Sequence, residues 1–204
     1  MFRWIRQLAC VCVAVVGVSQ PAFATPFTYS EIASGDLGQF LPAPKVFAFV
    51  PGDNTVNGHF FQTLNGSAVD IDSFAFSVPL GDTLTSMTFE WTITTTGNVT
   101  GANVIFSLKS ANSGAPTLGS ANFSLRPSGS MLLFSTVLPQ GSGTYAIANN
   151  SLSISGSGNA TRWDVDYTWH VTVAAPAAVP EPASLLLVAT GLAVGRRFGR
   201  RRIR

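Results

Sequence analysis

Cysteine is nearly absent from this 204-residue chain: Cys10 and Cys12 are its only two, and both fall inside the first apolar run. From Thr25 onward there is none, which excludes a disulfide framework and a thiolate metal site in that part. Charge is sparse too, at 11% Asp, Glu, Lys and Arg. Between Thr25 and Ala175 the only cations are Lys45, Lys109, Arg126 and Arg162; nine acids face them, for a net charge of −5. Nucleic-acid binding needs clustered cations, so nucleic acid is not an expected partner. No apolar run reaches the ~20 residues that span a bilayer comfortably. Helical periodicity and internal repeats are also missing from the centre of the chain, which argues against a helical bundle and a solenoid.

The two ends carry what the centre lacks. Arg3 and Arg6 open the chain, an apolar run covers residues 8–18, and Ala22-Phe23-Ala24 follows. A basic start, a short apolar helix and small residues at a cleavage site make up a secretory signal peptide. Residues 1–24 are therefore expected to be removed by signal peptidase after Ala24. A lasting N-terminal anchor is disfavoured by the shortness of the run, and acylation at Cys10 by the lack of an apolar run before it.

At the other end, residues 174–182 form an Ala/Pro linker that closes on Val179-Pro180-Glu181-Pro182. An apolar run at 183–194 and an arginine cluster, Arg196, Arg197, Arg200, Arg201, Arg202 and Arg204, complete the segment at 183–204. The prolines forbid helix before Ala183. The run is ~18 Å long at helical rise, a short membrane helix whose arginines stop translocation and stay cytoplasmic. This segment resembles the PEP-CTERM sorting signal, with its Val-Pro-Glu-Pro, short apolar helix and arginine-rich end. The resemblance implies an exosortase-type sorting enzyme that recognises Val179, Pro180, Glu181, Pro182, Arg196 and Arg197, with the membrane holding residues 183–194 transiently. It also implies a Gram-negative host that makes exopolysaccharide.

Residues 25–173 read as strand after strand. In 161–173, Trp163, Val165, Tyr167, Trp169, Val171 and Val173 alternate with Asp164, Asp166, Thr168, His170 and Thr172, the period of a half-buried strand. Met87, Phe89, Trp91 and Ile93 repeat the pattern. Further strands are expected at 46–50, 60–64, 69–78, 104–109, 121–125, 132–138 and 151–155. Turn signals separate them at Pro51-Gly52-Asp53-Asn54, Asn65-Gly66, residues 79–82, Gly97-Asn98 and Gly141-Ser142-Gly143. The expected fold is all-β, an antiparallel β-sandwich of jelly-roll or immunoglobulin-like topology.

In 69–78 the apolar parity flips at Asp72-Ser73. A continuous strand would put Asp70 and Asp72 among the phenylalanines, so a bulge turning both carboxylates outward is expected. Asp70-x-Asp72-x-Phe74 also resembles the Phe-x-Asp-x-Phe motif of a PEP-CTERM cargo group, with Asp70 in place of the first aromatic.

Groups able to do chemistry are scarce. His59 and His170 each stand alone on a strand, and no nucleophile elbow accompanies them, so no catalytic residue is assigned. Asp164 with Asp166, and Asp70 with Asp72, pair carboxylates on one strand face, and the stretch 53–58 offers oxygen atoms. Surface charge accounts for these more simply than Ca²⁺, and no metal or cofactor is expected. Trp163, Tyr167 and Trp169 share a face that packs as core rather than as a sugar platform. Thr92, Thr94 and Thr96 make one short row, too little for an ice-binding face. Five Asn-x-Ser/Thr sequons, at Asn65, Asn98, Asn122, Asn149 and Asn159, are taken to mark exposed turns. The expectation is a non-enzymatic exported surface or matrix protein associated with exopolysaccharide. The alternatives are a carbohydrate-binding module, then a secreted hydrolase, then an ice-binding protein.

Overall fold

A computed structural model describes residues 24–38, 44–64, 68–110, 115–124 and 127–177, with the backbone alone at 159 and 160. Most of the signal segment, the whole sorting motif and the apolar run at 183–194 lie outside the described residues. Ala24 is exposed. Among the described residues, no helix is long and apolar enough to cross a membrane.

The elements are β1 (Thr28–Ser30), α1 (Glu31–Ser34), β2 (Lys45–Ala48), β3 (Gly52–Thr63), β4 (Val69–Asp70), β5 (Ser73–Val78), β6 (Thr83–Ser110), β7 (Thr117–Ser124), β8 (Ser128–Leu133) and β9 (Gly143–Ala174). The all-β expectation holds. Period two in 161–173 becomes the C-terminal half of β9, with all six apolar side chains buried.

Hydrogen bonding joins the strands into a single curled sheet rather than two separate ones. β6 and β9 run antiparallel from Thr83↔Ala174 to Ser110↔Tyr145. Around the C-terminal half of β9 the order is β1-β3-β9-β6-β8; around its N-terminal half it is β2-β5-β9-β6-β7. The sheet is not wholly antiparallel either, because β1 pairs with β3 and β2 with β5 in parallel.

Length explains the curl. A straight strand the size of β6 would extend about 90 Å, several times the roughly 15 Å radius of gyration of a compact body this large. The ribbon must bend, and it does so where the register slips between Thr96 and Asn98 and between Val99 and Gly101. Gly97-Asn98, expected as a turn, therefore lies inside β6. Gly97 has φ +78°, which a strand absorbs as a bulge and a bend without reversing.

The bend brings the two halves face to face over an aromatic core. Phe106 of the second half lies 4.9 Å from Phe89 and 5.0 Å from Trp169 of the first, ring centre to ring centre. Tyr29 and Phe47 meet across the halves at 4.8 Å. Each such pair adds about 0.5–1.5 kcal/mol beyond its buried area. One inward row runs Gly58–Tyr167–Trp91–Gly129 across β3, β9, β6 and β8. Both glycines sit where the large rings need room: a Cβ on Gly129 would come 2.5 Å from Trp91 Cζ2, and one on Gly58 would come 2.2 Å from Tyr167 Oη.

The other revised turn is Pro51-Gly52-Asp53-Asn54. β3 begins at Gly52, and Asp53 and Asn54 pair with Thr172 and Val171. Asn54 is fully buried. Its Oδ1 accepts the N–H groups of Phe27 and Val50, and its Nδ2 donates to the carbonyls of Val50, Gly52 and Val171. A side chain that satisfies five backbone groups lets the strand start where the sequence signals a turn.

Candidate functional site

The alternation that buries the aromatics of β9 sends Asp166, Thr168 and His170 to the opposite face. Register sets their neighbours: Thr168 lies between Asn57 and Glu90, and Asp166 between His59 and Thr92. Asp166, Thr168 and these four neighbours, but not His170, line a cleft of about 570 Å³, which Ser128 of β8 and Glu31 and Ile32 of α1 also line. Ile32 is fully exposed. The Thr168 hydroxyl donates to Asn57 Oδ1 at 2.7 Å, which ties β9 to β3 through side chains at the floor of the cleft.

Beside the cleft, three carboxylates converge. One oxygen each from Glu31, Asp36 and Asp72 lies within 4.8 Å of the others. Glu31 is held by two backbone donors: the Leu37 N–H reaches Oε1 at 2.8 Å and the His59 N–H reaches Oε2 at 2.6 Å. Asp36 Oδ1 accepts the Gly38 N–H at 2.9 Å. Asp72 accepts the Tyr167 hydroxyl on Oδ2 at 2.8 Å, while its Oδ1 has no hydrogen-bond partner among the described residues.

Burial pushes the Asp72 carboxyl up to about 8; the charge of Glu31 adds to this and the Tyr167 hydrogen bond opposes it. Burial also raises Glu31, against the two backbone N–H groups that favour its ionised form. Burial, and then the charge of Asp72, lifts the Tyr167 phenol well above its ordinary value. These are the effects expected when acids are drawn out of water next to one another.

The expected outward bulge at Asp70 and Asp72 is therefore corrected. The chain leaves the sheet at Ile71 and Asp72, between β4 and β5. Asp72 is 5% exposed and turns inward, where Tyr167 supplies a donor. Asp70 is half-buried and pairs with Phe61 on β3.

The remaining candidates fall into place differently. Trp163, Tyr167 and Trp169 are buried, as core packing requires. His170 Nδ1 is 2.9 Å from Asp53 Oδ2 and its Nε2 is 3.7 Å from Glu90 Oε2. His59 Nε2 is 3.2 Å from Asp164, which also pairs with Arg162. Arg162 in turn covers the Phe61 ring at 3.8 Å. The pair Asp164 and Asp166 is thus split between an ion-pair network and the cleft. The stretch 53–58 is strand rather than loop, and its amides are spent on backbone and Thr168.

Thr92, Thr94 and Thr96 face Asp166, Asp164 and Arg162 across the ladder, so charge borders the row. Asn98, Asn122 and Asn149 lie within strands rather than turns, and Asn149 is buried. Asn65 and the Asn159 side chain lie outside the described residues. Sequence reasoning missed Glu31 and Asp36; the parity break at Asp72-Ser73 was the one local sign that this corner is unusual.

Among known families, residues 178–202 match the PEP-CTERM protein-sorting motif. No curated protein matches the chain. Among solved structures it is similar to a chain in the structure of infectious bursal disease virus Gx strain, with 11% identity and a TM-score of 0.32. That likeness covers 63% of this chain and 34% of the viral one, so the present chain spans about a third of its length.

Proposed function

Because the chain carries a PEP-CTERM sorting signal, and so is an exported protein recognised by exosortase-type sorting machinery, we propose that it is a non-enzymatic structural component of the cell surface or extracellular matrix, associated with exopolysaccharide. The motif match at 178–202 is the observation that carries the proposal. Signal peptidase removes residues 1–24. The apolar run at 183–194 then holds the chain in the inner membrane while its arginines stay inside. The sorting enzyme acts near Pro180, and the body passes to the outer surface or beyond. The body supplies a cysteine-free, net acidic scaffold whose curled, face-to-face sheet we read as sandwich-like. Both histidines lie against carboxylates in partly exposed polar contacts.

Intact-mass measurement of surface material tests this directly. The expected species begins at Thr25 and ends near Pro180. Removal of residues 178–204 is expected to abolish surface delivery while leaving export intact. Surface protein with an unprocessed C-terminus, or delivery unaffected by the deletion, overturns the proposal.

A second proposal, a carbohydrate-binding module in the same compartment, is favoured by the cleft. Asn57, Glu90, Thr92, Asp166 and Thr168 offer the dense donors and acceptors that sugar hydroxyls need. Binding of host exopolysaccharide that falls at least tenfold in Asp166→Ala would establish it. Binding unchanged by that substitution would remove the cleft from consideration.

A further inference from the structure

The acidic corner beside the cleft lies outside the sorting motif at 178–202, and its chemistry is incomplete as it stands. Glu31 opens α1, Asp36 follows that helix, and Asp72 comes from the connection between β4 and β5. Chain segments far apart in sequence thus deliver three carboxylates to within 4.8 Å of one another. Two cations of the body are engaged elsewhere. Lys45 Nζ donates to the Tyr29 hydroxyl and to the Ser34 carbonyl, and Arg162 pairs with Asp164. Like charges this close, partly removed from water, require a counter-ion or protons.

A second observation points to the ion. Asp72 is 5% exposed, and its Oδ1 has no hydrogen-bond partner among the described residues. A buried carboxylate oxygen without a donor is rare in folded proteins and calls for a missing ligand. Meanwhile all three carboxylates are already oriented. Tyr167 holds Asp72, the Gly38 N–H holds Asp36, and the Leu37 and His59 N–H groups hold Glu31. Outer hydrogen bonds of this kind preorganise metal ligands.

The donor set selects the metal class. It is all oxygen and anionic, with no imidazole or thiolate, which suits a hard cation. Ligands at 2.3–2.6 Å from Ca²⁺ stand up to about 5 Å apart across the ion, which accommodates this spacing. Mg²⁺ keeps its waters and demands near-octahedral ligands, conditions that a corner built from two connections and a helix start meets poorly.

We propose that Glu31, Asp36 and Asp72 bind one Ca²⁺ ion, which fastens the segment carrying β1 and α1 to the β4–β5 connection. The proposal is independent of how the chain is sorted. Its consequence is mechanical: an exported body without disulfides gains a clasp that closes only where free Ca²⁺ is plentiful. Glu31 also lines the cleft, so the ion orders one of its walls.

The full chain, stripped with EDTA, is titrated with CaCl₂ and separately with MgCl₂ by calorimetry and thermal melting. One Ca²⁺ per chain is expected, with Kd on the order of 10⁻⁵ to 10⁻³ M and an upward shift in melting temperature. Asp36 is exposed, so Asp36→Asn spares folding and is expected to weaken binding at least tenfold; Asp72→Asn does the same. Tb³⁺ provides a second readout. Tyr167, one hydrogen bond from a ligand, is expected to sensitise its emission, with saturation at one ion and displacement by Ca²⁺. A folded chain that binds no Ca²⁺ at about 10 mM, well above the extracellular range, overturns the proposal. So does binding of equal strength in Asp36→Asn, or an equal response to Mg²⁺.

Discussion

The Tyr167 hydroxyl donates a 2.8 Å hydrogen bond to Asp72 Oδ2, joining residues 95 positions apart in the chain. The bond sits where the inward row of β9 meets the connection between β4 and β5. It explains why an aspartate is tolerated among core aromatics: one oxygen is satisfied by the phenol, and the carboxylate lies beside those of Glu31 and Asp36. The fold keeps this corner polar at a cost that its surroundings must offset.

Replacing Tyr167 by Phe keeps the ring, and with it the packing against Phe60 and Phe89 at 5.5 and 5.7 Å. It removes the donor and leaves the buried Asp72 without a hydrogen bond. A loss of about 1–3 kcal/mol is expected, read from urea denaturation in EDTA at a pH above about 8, where Asp72 is ionised. In an Asp72→Asn background the loss should shrink, because no charge is then stranded; equal losses in both backgrounds would show that the hydroxyl acts elsewhere.

Acid should stabilise the metal-free protein. The Asp72 carboxyl titrates near its ordinary 3.8 when unfolded and at about 8 when folded. Between these values the folded state holds the extra proton, so stability falls as pH rises through that window and levels above it. Glu31, also raised, adds to the trend. In EDTA, the melting temperature should be higher at pH 5 than at pH 8.5, and Asp72→Asn should flatten most of the slope. A melting temperature that rises across this range would contradict the burial of Asp72.

Glycine at 129 is required by a ring, not by a turn. Gly129→Val places a side chain in the space of Trp91, where even a Cβ would be 2.5 Å from Cζ2. A destabilisation of about 1–3 kcal/mol is expected from overpacking, together with a changed Trp fluorescence spectrum. Gly101→Ala is the control, since a Cβ there meets nothing within 4 Å, and it should shift stability by less than about 0.5 kcal/mol.

Asn54→Ala tests the fastening of the N-terminal strand. It would orphan the N–H groups of Phe27 and Val50 and three carbonyls at once. A loss of about 3 kcal/mol or more is expected, with amide exchange at Phe27 and Val50 accelerated before that of the β6–β9 ladder. Uniform acceleration throughout the sheet would mean that Asn54 holds no local element.

Much of the fold could be read in advance because the strand signal is local. The alternation in β9 and β6 marks the buried face residue by residue, and it placed Trp163, Tyr167 and Trp169 in the core. Glycine misled at 52 and 97. There the expected turns are a strand start and a bulge, since a positive φ serves either purpose and only the neighbouring strand decides between them. The acidic site was barely legible. Asp72 showed a parity break, but Glu31 and Asp36 look like ordinary surface acids until Tyr167 and His59 are brought beside them.

The sequence by itself determined the address and the inside face of the strands. Val179-Pro180-Glu181-Pro182, the apolar run and the arginines act as a contiguous string, and the period-two pattern needs no partner to be recognised. Tertiary structure alone decided the curl, the parallel edge pairs and the meeting of Glu31, Asp36 and Asp72. Those depend on which distant segments pair, and that follows from burying a shared aromatic core, a property of the whole chain that no single stretch encodes.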